Sequence, residues 1–421
     1  MTSDRVPAVP GRTLMMTMLV IAYTLNFIDR QIVGILAEPI KADLGLTDGE
    51  LGWMGGTAFA LFYTLLAIPI AMLADRRDRS WIITIGLTLW SAATAACGMA
   101  QNFWQLFLAR MSVGVGEAAG VAPAYSLISD LYPPEQRSRA LAIFSLGIPL
   151  GSAFGVLFGG LIAAMIDWRY AFVIIGVAGV LFAPLFKWTV RDLGHGRAEE
   201  GPRAAAPGIK LVFRTIAAKP AFWLLGFGAG TASLVAYGLA FWIPSFLARS
   251  YGLELEERSW IFASILLFGG AAGIWFGGLA GDRLGNADAR GYALVPATAF
   301  IITLPAYLLA FSTQSLWLSS FLFLIPTALG LTWIGPVVTA VTRLVPPEMR
   351  ATASALFLFI NNLIGLGLGS TVIGLISDSL TERYGDEALR YSAMATTTLY
   401  ALAALLMYLA SRRLKRDFHS A

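Results

Sequence analysis

The chain alternates long apolar stretches with short polar ones. Twelve apolar runs reach the length of about 20 residues that a helix needs to cross a bilayer. The longest polar stretch, Arg191 to Lys219, separates six runs from six. We therefore predict an all-α membrane protein with a six-helix bundle over 1–190, a linker over 191–220 and a second bundle over 221–421. The runs are 13–37, 50–74, 81–100, 103–129, 139–165, 170–190, 221–248, 259–281, 292–312, 315–342, 351–377 and 391–411.

Composition supports lipid as the outer solvent and argues against several chemistries. The chain is 57% hydrophobic and 13% charged, with a mean hydropathy of +0.70, whereas soluble proteins carry about 25% charged residues. The single cysteine, Cys97, excludes an intrachain disulfide. No Gly-Lys dipeptide is present for a P-loop, and no Cys/His spacing suits a metal. We expect no cofactor, no metal, no enzymatic activity and no nucleic-acid partner.

The basic residues of the loops predict an orientation. Of the 30 lysines and arginines, 22 lie on the side that carries the N-terminus and the linker, and six lie on the other side. Basic residues concentrate on the cytoplasmic side of membrane proteins. We therefore expect a multi-pass protein of a bacterial-type inner (plasma) membrane with both termini in the cytoplasm. The N-terminus lacks a signal-peptide cleavage pattern, so the first run should remain as an anchor.

The two halves repeat each other in order and spacing, which indicates duplication. The first repeat opens the second run of each half, where Thr47 and Glu50 also fit a capping box. The second repeat ends that run, and the third follows the fourth run. The matched segments are 45–47 with 252–254, 75–76 with 282–283, and 133–137 with 346–350.

The loop Ala71–Arg79 resembles the signature between the second and third helices of the major facilitator superfamily, and 278–283 resembles a weaker copy. In that family the aspartate lies near the N-terminal end of a helix in the other half, where the helix dipole favours an anion. The first copy has Ala71 where glycine is usual. The alternative is a set of generic membrane-flanking arginines. The resemblance implies a gating role for Asp75, Arg76, Arg79, Asp282 and Arg283.

Four charged residues lie inside the apolar runs: Asp29, Arg30, Arg110 and Glu117. An ionised group at membrane depth costs a few kcal/mol or more, so it needs a partner or a polar cavity. Asp29 and Arg110 lie about 12 Å and about 10 Å from the outer ends of their runs, so the two could pair directly. Glu117 lies nearer the midplane and should be the easier of the two acids to protonate. A purely structural ion-pair cluster is the alternative.

Glycines recur every four residues along the fifth run, at positions 147, 151, 155 and 159, with Gly160 beside them. Such a small-xxx-small face lets a second helix approach closely. Close packing and helix bending are equally compatible with the pattern.

The second half has no charges that match the buried set of the first half. Its candidate cavity residues are aromatic or amide side chains, and for the aromatic ones ordinary packing is the alternative. They are Tyr237, Trp242, Trp333, Asn361 and Asn362.

Four segments look like the spinster branch of the major facilitator superfamily, which includes sphingosine-1-phosphate and lysophospholipid transporters. They are 25–30, 113–118, 128–133 and 147–152. The resemblance implies the major facilitator fold, two pseudo-symmetric six-helix bundles enclosing a central site. It also implies alternating access and places the buried charges of the first half in that branch's polar cluster.

We therefore interpret the chain as a proton-coupled transporter of an amphipathic anion or zwitterion, working as a monomer in contact with membrane lipid. Asp29 and Glu117 would carry protons. The expected substrate-binding residues are Asn26, Arg30, Arg110, Tyr237, Trp333 and Asn362. Arginine suits phosphate or carboxylate because it makes bidentate contacts. A transporter of a small organic anion and a ligand sensor without transport remain as alternatives.

Overall fold

The computed structural model describes residues 11–74, 76–194, 209–346 and 349–418, and no strand occurs among them. A π-helical turn, Trp53–Thr57, follows the third helix, and a 3₁₀ turn, Gly385–Glu387, follows the seventeenth. The helices are α1 Arg12–Ile35, α2 Ala37–Leu44, α3 Asp48–Gly52, α4 Ala58–Ala74, α5 Arg79–Cys97, α6 Phe103–Glu117, α7 Val121–Leu131, α8 Pro134–Ser145, α9 Gly147–Met165, α10 Trp168–Thr189, α11 Ile209–Ala217, α12 Pro220–Tyr251, α13 Leu255–Ala287, α14 Gly291–Ser312, α15 Leu316–Leu329, α16 Ile334–Arg343, α17 Arg350–Tyr384, α18 Ala388–Thr397 and α19 Leu399–Asp417.

The predicted spans are helical in the structure. Ten helical stretches among the described residues are long and apolar enough to cross a membrane. The last of them, Thr352–Asp417, contains the eleventh and twelfth runs together. The fourth run falls short because a turn at 118–120 separates α6 from α7. The twelve-helix membrane architecture is therefore confirmed.

By its packing the chain divides into two compact units. The first consists of Met1–Leu44 and Ala58–Pro202, and the second of Gly45–Thr57 and Arg203–Ala421. The segment 45–57 thus belongs to the first half of the sequence but packs within the second unit. The sequence boundaries at 190 and 220 do not indicate that segment 45–57 packs within the second unit, because this packing depends on tertiary contacts.

In the first unit, the glycine face of α9 packs against α1. A Cβ added at Gly151 would lie 2.4 Å from the carbonyl oxygen of Thr24, and one added at Gly155 would lie 2.7 Å from that of Ile28. No side chain fits at those separations, so the two backbones touch directly. The close packing predicted from the four-residue spacing is confirmed.

Glycines also hold α6 against its neighbours in the first unit. A Cβ at Gly114 would lie 2.4 Å from the carbonyl oxygen of Phe59 on α4, and one at Gly116 would lie 2.5 Å from the backbone nitrogen of Trp90 on α5. Because α6 carries Arg110 and Glu117, this close approach places both charges against the polypeptide rather than against lipid.

In the second unit, the segment 45–57 is anchored by a buried carboxylate. Thr47 and Glu50 form the predicted capping box at the start of α3. Asp48 accepts two hydrogen bonds from Arg249, each 2.7 Å, and one from Ser377, also 2.7 Å. The carboxylate of Asp378 in turn accepts the backbone N–H groups of Asp48 and Gly49 at 3.0 and 2.8 Å. These contacts fix α3 to α12 and α17.

We expect Gly151→Ala to lower the thermal unfolding temperature of the purified protein, because the new methyl group must push α1 away from α9. Overpacking of this kind costs about 1–3 kcal/mol. The matched control is Gly278→Ala in α13, where an added Cβ has no neighbour within 4 Å. Equal melting temperatures for Gly151→Ala and the unaltered protein would contradict the packing described here.

Candidate functional site

The four membrane-depth charges of the sequence converge in the interior of the first unit. Asp29 and Arg30 lie on α1, and Arg110 and Glu117 lie on α6. Asp29, Arg110 and Glu117 are 2%, 1% and 0% exposed, and the Arg30 side chain is 11% exposed. Charges are rarely buried this completely unless they are paired.

The pairing differs from the expected one. The Arg30 Nε donates to the Glu117 Oε2 at 2.7 Å, so these two residues form the ion pair. Arg110 donates through Nη1 to the backbone carbonyl of Asp29 at 3.1 Å rather than to its carboxylate. The expected Asp29–Arg110 ion pair is therefore wrong. The depth argument compared Cα positions only, whereas the Asp29 carboxyl lies beside Thr94 and Trp90 of α5.

Aromatic rings surround the Arg30 guanidinium. Its Cζ lies 4.9 Å from the ring centre of Phe27, 5.1 Å from that of Phe59 and 4.6 Å from that of Tyr63. A cation within about 6 Å of a ring centre is attracted by the ring's quadrupole, more strongly where water is excluded. The cluster therefore holds a cation in apolar surroundings with the Glu117 carboxylate as its partner.

Several buried polar atoms of this cluster have no hydrogen-bond partner among the described residues. They include both amide atoms of Asn26, the Oδ1 of Asp29 and the Oε1 of Glu117. Most buried polar groups in proteins are hydrogen-bonded, and the exceptions concentrate at functional sites. A cavity of about 10 Å³ adjoins Asn26, Trp90 and Gly120, which is room for about one water molecule. The cluster thus has unused hydrogen-bonding capacity beside a cavity of the size of one water molecule.

The candidate residues of the second half lie in the second unit. Tyr237 is on α12, Trp333 immediately precedes α16 and faces Phe357 at 6.0 Å, and Asn362 is on α17. Tyr237 and Asn362 are half-buried, and Trp333 is buried.

Two further candidates in the second unit have packing contacts instead. The Trp242 indole N–H donates to the carbonyl of Ser370 at 2.9 Å. The Asn361 side chain accepts from the hydroxyl of Ser233, also at 2.9 Å. Both contacts join α12 to α17, and for Trp242 this is the packing alternative.

Of the predicted gating residues, Arg79 has the most informative contacts. Its guanidinium is fully buried and donates to the carboxylates of Asp130 and Asp192 and to the hydroxyl of Ser126. Arg76 and Arg283 are exposed. Asp75 lies outside the described residues, and so does the side chain of Asp282.

Two clusters escaped the sequence reasoning. Asp192 lies 113 residues from Arg79, and Asp48 lies 201 residues from Arg249. Asp130 lies in the family-like segment 128–133, and Thr47 of the capping box directly precedes Asp48, so the sequence marked one part of each cluster. Nothing in the sequence marked Asp192 or Arg249, because charged residues are common in polar loops and at helix ends.

Charged side chains buried between membrane-spanning helices are typical of membrane transport proteins. The family model described as "Major Facilitator Superfamily" matches residues 19–370, and the chain belongs to this superfamily, in its spinster-like branch.

Two related proteins and one solved structure are similar to the chain over most of its length. The chain is 35% identical to an MFS-type efflux pump of Mycolicibacterium smegmatis, over 94% of this chain and 91% of the relative. It is 30% identical to Protein spinster homolog 1 of Homo sapiens, over 93% and 79%. The crystal structure of a bacterial homolog to the human lysosomal transporter Spinster, inward-facing and unoccupied, aligns with a TM-score of 0.86 and 32% identity over 98% and 99%.

We expect Asp192→Asn to lower the melting temperature at neutral pH, because Arg79 then loses a charged partner. Burial raises the pKa of Asp192, but hydrogen bonds from the Arg79 side chain and backbone outweigh this and hold it at about 2. A carboxylate with a depressed pKa stabilises the fold above its unfolded value of about 3.9 and loses that contribution as the pH falls towards 2.

The melting difference between Asp192→Asn and the unaltered protein should therefore be constant from pH 5 to 8 and shrink below about pH 4. Asp43→Asn, which removes the partner of half-exposed Arg169, serves as control and should change little. A difference that persists unchanged at the acid end would contradict the assignment.

Proposed function

We propose that this spinster-like transporter couples the movement of an amphipathic anion or zwitterion to protons, with the Arg30–Glu117 ion pair as the coupling element. The observation that carries the proposal is that this buried pair lies beside polar atoms without partners. The substrate class envisaged is a lipid with a phosphate-bearing head, such as a sphingoid phosphate or a lysophospholipid.

The coupling follows from the free-energy cost of leaving an unpaired charge in a low-dielectric site. An anionic head that contacts Arg30 competes with Glu117 for the same guanidinium. A Glu117 carboxylate that lost this partner would remain buried, where an isolated charge is costly. Taking up a proton removes that cost. Substrate and proton are therefore bound together. Asp29, buried beside them, is the second proton carrier.

The difference between the units favours an amphipathic substrate. The first unit contributes charge through Arg30 and Arg110, with Asn26 beside them. The second unit offers Tyr237, Trp333 and Asn362, which are two aromatic side chains and an uncharged amide. The amphipathic assignment rests on this contrast between a charged set and an uncharged set of residues, whereas a small organic anion would need only the charged set.

Alternating access requires contacts that hold one state and break in the other. We assign this role to two buried arginine clusters, one around Arg79 in the first unit and one joining Asp48 to Arg249 in the second. The remaining gating residues, Asp75, Arg76, Asp282 and Arg283, keep the role that the family resemblance implies. We further propose a monomer in a bacterial inner membrane with cytoplasmic termini.

Purified protein in liposomes with an imposed pH gradient tests the coupling. Glu117→Gln should abolish the gradient dependence of uptake because glutamine can neither bind nor release a proton. Asp29→Asn should reduce it. Asp43→Asn, which neutralises a carboxylate outside the cluster, is the matched control and should behave like the unaltered protein.

Full gradient-driven transport by Glu117→Gln would contradict the proposed coupling role. The melting temperature of each variant in the same detergent distinguishes a specific loss of coupling from unfolding of the variant.

The substrate class is tested by thermal shift with a panel of lysophospholipids, sphingoid phosphates, sugar acids and simple carboxylates. We expect stabilisation by the lipids and loss of that stabilisation in Arg30→Gln. Arg169→Gln, at a half-exposed ion pair away from the cluster, should retain it. Stabilisation only by the small anions would overturn the lipid assignment and favour an organic-anion transporter.

A further inference from the structure

The second unit carries a basic groove that the transport proposal does not use. It lies where α19 ends and α12 begins, and its volume is about 850 Å³. Three exposed arginines of α19 line it: Arg412, Arg413 and Arg416. At 100° per residue the three side chains fall within about 100° of one another on the helix. No acidic residue is among those that line the groove.

Apolar side chains form the other wall of the groove. Trp223 and Leu224 on α12 and Leu409 on α19 line it together with the arginines. The exposed surface below continues as apolar residues, with Leu402 and Leu405 on α19 and Phe227 on α12 about half exposed. Both helices belong to stretches that are long and apolar enough to cross a membrane, which favours hydrocarbon as the neighbour of this surface. The three arginines therefore lie at the ends of the spanning helices, and the adjoining surface of α12 and α19 is apolar.

The helix ends that carry the groove are fixed to each other. The Asp417 side chain accepts the backbone N–H of Ala221 at 3.0 Å, and Lys219 donates through Nζ to the carbonyls of Leu344 and Asp417. Asp417 also accepts from the Arg416 Nε at 3.2 Å. The last turn of α19 is thus tied to the first turn of α12. The helix ends that carry the three arginines are therefore held in a fixed arrangement.

A short amphipathic helix marks the level of the membrane surface. In α11, Val212 and Ile216 are buried against the unit, while Leu211 and Phe213 are about half exposed beside Lys210. The Phe213 ring lies 6.2 Å from that of Trp223 in the groove wall. A helix with exposed apolar and basic residues side by side is typical of the membrane–water interface. The groove therefore opens at headgroup level.

We propose that this groove binds the headgroup phosphate of an anionic phospholipid from the surrounding leaflet. The three arginines hold the phosphate, since arginine makes paired N–H contacts with its oxygens. Trp223 lies at the level where tryptophan is enriched in membrane proteins. The acyl chains follow the exposed apolar surface of α12 and α19. This site is separate from the ion-pair cluster of the first unit and takes a resident lipid.

Native mass spectrometry of the purified full chain tests the proposal, with phosphatidylglycerol as the probe and phosphatidylcholine as the neutral comparison. Basic groups near a membrane surface contribute about a factor of five each. The triple variant R412Q/R413Q/R416Q should therefore bind phosphatidylglycerol about a hundredfold more weakly. Phosphatidylcholine, whose choline cation opposes the arginines, should bind weakly to both proteins. The matched control is R77Q/R139Q/R290Q, which removes three exposed arginines elsewhere and should bind like the unaltered protein.

The following outcomes would contradict the proposed lipid site. Equal phosphatidylglycerol binding by the groove variant and the unaltered protein would overturn the proposal, and so would equal loss in both triple variants. Inorganic phosphate that competes fully at the same concentration would show an anion site without lipid selectivity. Melting temperature without added lipid checks that the groove variant folds, and Arg412→Lys with Arg413→Lys and Arg416→Lys, which keeps the charge, should retain part of the binding.

Discussion

The structure of the first unit depends on how its four charged side chains at membrane depth are shielded from lipid. A single ionised side chain at membrane depth costs a few kcal/mol or more, and the first unit buries four. The Arg30–Glu117 pair, at 2.7 Å, is the contact that makes this arrangement possible. Breaking one partner of such a pair leaves an uncompensated charge, which is strongly destabilising. Removing either partner is therefore costly unless another group takes its place, and in the proposed mechanism a ligand head or a proton does so.

The packing of the first unit supports this site. Glycines at positions 114 and 116 bring α6 against the backbones of α4 and α5, and those at 151 and 155 bring α9 against α1. Each glycine removes a side chain where two helices meet. The helices that carry the charges are thus held by backbone contact, which leaves their polar side chains to one another and to the aromatic rings of Phe59 and Tyr63.

Local pattern predicted the helices, the glycine contacts and the burial of the four charges, because each of these follows from a spacing along one segment. The partner of each charge did not follow. Asp29 and Arg110 matched in depth, yet Arg110 bonds the Asp29 carbonyl and Arg30 takes Glu117, since side-chain length and helix rotation decide the contact. The same holds for Asp192 with Arg79, and for the segment 45–57, which packs within the second unit.

The central claim is that anion binding at Arg30 and proton binding at Glu117 are linked. Titration calorimetry of the detergent-purified protein with a lysophospholipid, repeated in buffers of different ionisation enthalpy, counts the protons taken up on binding. The account predicts net proton uptake near neutral pH that disappears in Glu117→Gln while binding itself persists. Binding without any proton uptake in the unaltered protein, or the same uptake in Glu117→Gln, would contradict it.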